Sequence, residues 1–129
     1  MNSQELVNKA WSFKKEGKYA EALKFYSQAF DILISEASAY AHSQEGIFVD
    51  KEENKKKVRA ILPKHLDKVK EYLKHDKVAC TVSNNMAVIF AEMGDNESAK
   101  KFFHQSIDLT PDNIDYPDPK IGLEELKKL

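Results

Sequence analysis

An all-α fold of antiparallel helical hairpins, with five or six helices, is what this sequence predicts, and three observations carry that expectation. Apolar residues recur at helical spacing, as in Ala22, Leu23, Tyr26, Ala29, Phe30, Leu33 and Ile34. The 129 residues include only four glycines and four prolines, too few breaks for a β-rich fold. One set of residues also occurs twice around a glycine. Asn8, Ala10, Phe13, Gly17, Ala22, Tyr26 and Ala29 return as Asn85, Ala87, Phe90, Gly94, Ala99, Phe103 and Ser106, each 77 positions later.

The elements follow in order within one expected domain, 1–129. A first unit, 3–42, opens with a helix over 3–16. Gly17 stands where that helix must stop in a left-handed conformation. The second helix starts near Lys18, and its apolar pattern runs on through Ala37 and Tyr40, longer than its counterpart. Antiparallel helices approach closely only where side chains are small, so Ala10 is expected to face Ala22, and Ala87 to face Ala99. Phe13, Tyr26, Phe90 and Phe103 fill the space beside those crossings. Ile47, Phe48 and Val49 form a connector, and Asp50 suits a helix cap.

Residues 51–76 are the part the duplication does not explain. Val58, Ile61, Leu62, Leu66, Val69, Tyr72 and Leu73 make an amphipathic stripe, which Pro63 should kink. The segment is either a degenerate middle unit or one long helix against the first hairpin. A second clear unit spans 78–111, with Asp95 or Asn96 as cap of its second helix. Tyr116 and Pro117 are expected to be extended. Asp118 and Pro119 then start a final helix, 118–129, with Ile121, Leu123, Leu126 and Leu129 as its apolar face, a candidate cap for the stack.

The duplicated units resemble the tetratricopeptide repeat (TPR), whose pattern is W-x2-L-G-x2-Y…A-x3-F…P. The first reads Leu6-x2-Lys9-Ala10-x2-Phe13, Gly17, Ala22-x3-Tyr26-x2-Ala29, and the second Ser83-x2-Met86-Ala87-x2-Phe90, Gly94, Ala99-x3-Phe103, Pro111. Lys9 stands in place of the usual Leu, Ser83 of Trp and Ser106 of Ala, and the first unit lacks the closing proline. Residues 5–74 also resemble the three-helix MIT (microtubule-interacting and trafficking) domain, through Gly17-x-Tyr19-x2-Ala22-Leu23 and Leu66 through Glu71-Tyr72-Leu73.

The TPR resemblance implies hairpins stacked as a short right-handed superhelix and a non-catalytic module that binds another protein. The first helix of each unit would line a concave groove for an extended peptide or a helix. The groove-facing places are Gln4, Val7, Trp11, Lys14 and Lys15 in the first unit and Thr81, Asn84, Val88, Ala91 and Glu92 in the second, with Asn85 beside them. Trp11 either anchors a partner there or packs under the middle segment. Self-association is another use of the same surface. The MIT resemblance implies instead a partner helix held by the first hairpin and the third helix. Of the carboxylate clamp found in one TPR subset only Asn85 is present, and Val7 and Trp11 stand at its first-helix positions, so chaperone-tail binding is not expected.

Composition narrows the remaining classes. The single cysteine, Cys80, excludes an internal disulfide framework and fits a cytoplasmic, reducing setting. The N-terminus has neither the basic start nor the apolar core of a signal peptide, and no apolar run approaches a membrane span. Net charge is uneven: −2 over residues 1–50, +5 over 51–77 and −4 over 78–129. The basic middle carries no interleaved aromatic platform for single-stranded nucleic acid, and no nucleic-acid partner is expected. His42, His65, His75 and His104 are scattered, Cys80 has no ligand cluster around it, and no glycine-rich phosphate loop exists. No metal, cofactor or enzymatic activity is expected.

Overall fold

Small residues at two helix crossings and a glycine after each first helix produce two closed hairpins. The computed structural model describes residues 1–45 and 62–129, and among them six helices follow one another. They are α1 (Ser3–Lys15), α2 (Tyr19–Glu45), α3 (Leu62–Leu73), α4 (Val78–Glu92), α5 (Asn96–Asp108) and α6 (Asp118–Lys127). No strand occurs among the described residues. The chain therefore adopts the all-α helical-hairpin fold its sequence predicts.

Both turns close in the same way. Gly17 has φ 77° and Gly94 φ 82°, the left-handed region in which a Cβ is penalised. The Gly17 amide donates to the Lys14 carbonyl at 3.0 Å and the Lys18 amide to the Phe13 carbonyl at 2.9 Å. At the second turn Gly94 donates to Ala91 at 3.1 Å and Asp95 to Phe90 at 2.9 Å. This pair of bonds is a Schellman motif, which satisfies carbonyls that the helix end leaves open. The cap of α5 is Asp95, whose carboxylate accepts from the Ser98 amide at 3.1 Å, and Asn2 caps α1 by accepting from Glu5 at 2.9 Å.

Three apolar clusters hold the helices. Ala10, Ala22 and Tyr26 of the first hairpin are buried with Val82, Met86 and Ile89 of α4, which stacks one hairpin on the next. Full burial of an aliphatic side chain such as Ile89 contributes about 1.5–3 kcal/mol. The second half of α2 supplies Leu33 and Ala37, which pack with Leu73 of α3 and with Ala79, Cys80 and Leu109. Ala87 and Ala99 meet beside Phe103, with Leu123 and Leu126 of α6 against them. Phe13 stacks on Phe25 at a centroid distance of 5.5 Å and Phe90 on Phe102 at 5.3 Å. Phe25 and Phe102 are again 77 apart, so each unit adds a stacked ring pair to the Tyr26 or Phe103 ring that packs beside its alanine crossing.

Polar bonds tie the ends. Buried Ser106 donates to the Cys80 carbonyl at 2.7 Å, which gives a hydroxyl a partner where the first unit has Ala29. The Tyr72 hydroxyl donates to the Glu36 carboxylate at 2.9 Å, joining α3 to α2, and that bond raises the Tyr72 pKa. Lys74 at the end of α3 reaches Asp112 beyond α5 at 2.9 Å.

The sequence reading needs correction in three places. Leu66 is exposed: α3 meets its neighbours through Val69, Tyr72 and Leu73, and Leu66 falls outside that contact. Ile121 and Leu129 are exposed as well. Helix α6 docks with Gly122 against the Phe103 ring, flanked by Leu123 and Leu126, so its buried face is turned away from Ile121. That helix also starts at Asp118, which lies inside its first turn and makes no capping hydrogen bond, while Pro119 is fully buried. The connector at Ile47, Phe48 and Val49, the cap at Asp50, and Val58 and Ile61 lie outside the described residues. The choice between a degenerate unit and one kinked helix over 51–76 rests on them.

Candidate binding groove

The positions expected to face a partner lie on α1, which has an open side, and on α4, where Thr81, Asn85, Val88 and Ala91 are half-buried, Asn84 is buried and Glu92 is exposed. On α1, Leu6 and Ala10 are buried and Val7 is half-buried against the first cluster. One step around the helix stands Trp11, 49% exposed. The Lys15 ammonium lies 3.8 Å from the Trp11 ring centroid, a cation–π contact on an exposed surface. Gln4, one turn back, bonds to Asn8 at 2.9 Å.

Lys14 links the two units electrostatically. It is half-buried, and desolvation lowers its pKa below the usual lysine value, while the Glu92 carboxylate of α4 opposes that fall.

Polar groups on α4 occupy the floor between the units. Asn84 is buried, and its Oδ1 has no hydrogen-bond partner among the described residues. The Tyr26 hydroxyl is likewise enclosed without a bond of normal geometry. Burial pushes the Tyr26 pKa up to about 12, and the Asn85 amide opposes that rise. Buried polar groups without partners are uncommon in folded proteins. Val88 turns towards the Ala87–Phe103 cluster and is half-buried there with Ala91.

Two tyrosines of this region have a role in it that sequence reasoning did not assign. Tyr26 reads as core from its spacing, and it is core, yet it brings a hydroxyl into the space between the units. Tyr116, expected only as part of an extended stretch, lies beside Thr81 and Asn84. Burial raises its pKa, and those two side chains oppose the rise. The Lys77 ammonium sits 5.2 Å from the Tyr116 ring. The second unit's end of the candidate groove is thus partly covered by the chain itself.

Among the described residues no group of three or more His, Cys, Asp or Glu could hold a metal ion, and no described helix is long and apolar enough to cross a membrane. Cys80 is fully buried.

The hairpins, their glycine turns and their alanine crossings agree with a family comparison. The model of the tetratricopeptide repeat matches residues 6–32 and 81–113, and the first match, moved by the 77-residue offset, falls inside the second. These two units are tetratricopeptide repeats. Comparison with curated proteins and with solved structures gives no match. Tetratricopeptide repeats generally mediate protein–protein interaction and are typically non-catalytic.

Proposed function

We propose that this chain is a non-catalytic adaptor that binds an extended peptide or a helix of a partner protein. The binding surface is the concave face of its two tetratricopeptide repeats, through Val7, Trp11, Lys14, Lys15, Asn84, Asn85, Val88 and Glu92. Helix α6 serves as the terminal cap of one domain spanning 1–129. The observation that carries the reading is Trp11, the single tryptophan of the chain, left 49% exposed on the helix that lines such a face. A large aromatic side chain in the open has apolar area to bury on binding, and tryptophan is enriched among residues that dominate interfaces.

The surrounding groups favour a polypeptide ligand. Asn85, half-buried beside the Tyr26 hydroxyl, brings an amide to this face, and the opposite charges of Lys14 and Glu92 suit a mixed-charge peptide. Affinity capture from the source cell with the wild-type chain, Trp11→Ala and Asn85→Ala tests this. Truncating Trp11 should weaken the captured complex by about 2 kcal/mol or more, roughly thirtyfold, with the circular dichroism spectrum and melting temperature unchanged. A folded Trp11→Ala protein that retains every partner at wild-type affinity rules the groove out. Recovery of a second copy of the chain, lost in the variant, assigns the same face to self-association.

A further inference from the structure

A second surface lies at the other end of the stack. Helix α6 packs against α5 and, less extensively, against α4. Beside it runs a groove of about 620 Å³ between α5 and α6, with Leu123 and Leu126 on its apolar side. The first unit shows what the equivalent face accepts. Tyr19 and Leu23 of α2 are half-buried in the cluster that α4 completes with Val82, Met86 and Ile89. The residues 77 positions later are Asn96 and Lys100, and both line the open groove. In the second unit α6 packs over Ala87, Ala99 and Phe103, the counterparts of Ala10, Ala22 and Tyr26, and leaves Asn96 and Lys100 exposed beside it.

The charges on its rim are unbalanced. Lys127 is paired with Glu124 at 3.2 Å, and Glu97 lies in the first turn of α5. Lys100 and Lys120 have no ion pair among the described residues. We infer that the α5–α6 groove takes an amphipathic helix of a second protein, with an apolar ridge at i, i+4 and i+7 flanked by carboxylates. The ridge spacing is the one α4 itself offers the first unit through Val82, Met86 and Ile89. The carboxylates would meet Lys100 and Lys120, which gives selectivity and salt sensitivity more than raw affinity. This site is separate from the Trp11 face, and either can fail without the other.

The test titrates the full chain with a labelled peptide of about four helical turns, carrying a leucine ridge at that spacing and glutamate flanks. A peptide with the same ridge and lysine flanks is the control, and amide chemical shifts locate the contact. The glutamate peptide should bind with shifts confined to α5 and α6, and the lysine peptide should not bind. The Lys100→Glu/Lys120→Glu variant, altered only at exposed side chains, should lose roughly tenfold in affinity for the glutamate peptide and gain binding of the lysine peptide. Absence of binding, equal binding of both peptides, indifference to the double variant, or shifts at Trp11 and α4 would each overturn the inference.

Discussion

The two tetratricopeptide units share the residues that make a hairpin and differ in those that meet neighbours. Each has a left-handed glycine, a buried alanine pair and a stacked phenylalanine pair, in one register. They part on the side of the first helix that faces the N-terminal end of the stack. There α4 carries Val82, Met86 and Ile89, all buried, where α1 carries Glu5, Lys9 and Ser12, all exposed. The first set packs on a preceding hairpin and the second faces solvent. Conserved offset thus reports internal geometry, while its violations report what lies next to each unit.

Four sets of substitutions press on that comparison, beginning with the largest effect. Ala22→Leu and Ala99→Leu should each destabilise by about 1–3 kcal/mol through overpacking, measured by urea denaturation. A much smaller loss at one site would show that its hairpin is looser than its twin. Gly17→Ala and Gly94→Ala should cost about 1 kcal/mol each and nearly the same amount. No neighbouring atom lies within 4 Å of a Cβ at either position, so only backbone strain is added.

Tyr26→Phe makes the first unit like the second, where Phe103 stands. Removing a buried hydroxyl without a partner should leave stability unchanged or raise it by up to about 1 kcal/mol. A clear loss in thermal denaturation would reveal a solution partner for that hydroxyl. The smallest effect belongs to Asp95, whose counterpart is Lys18. Asp95→Ala should lower the melting temperature slightly at neutral pH, and Lys18→Ala should not. The Ser98 hydrogen bonds hold the Asp95 pKa below its ordinary value. Its contribution is therefore complete above the unfolded pKa, near 4, and disappears as pH falls through the folded pKa. The wild-type and Asp95→Ala melting curves should converge in that acid range.

Most of the hairpin architecture was legible in the sequence because small residues and glycines answer to local sterics. The Phe25–Phe102 correspondence was equally legible, since it follows the same offset as the positions that were read. The docking of α6 was not. Of the four apolar residues read as its buried face, Leu123 and Leu126 pack and Ile121 and Leu129 do not, because the contact is set by the absence of a side chain at Gly122 against Phe103. The candidate site divides in the same way. Trp11 is legible as the single tryptophan at a groove-facing place of the repeat pattern, whereas its exposure follows from the packing that buries Leu6 and Ala10 on the neighbouring side of α1. Tyr116 carried no signal because a loop residue reaches Thr81 and Asn84 only through the course of the whole chain.

The single tryptophan makes the central claim directly measurable. Trp11 emission should shift to shorter wavelength, and its quenching by acrylamide should fall, when a captured partner or its binding peptide saturates the chain. Saturated binding with Trp11 emission and quenching unchanged would contradict a groove centred on that residue.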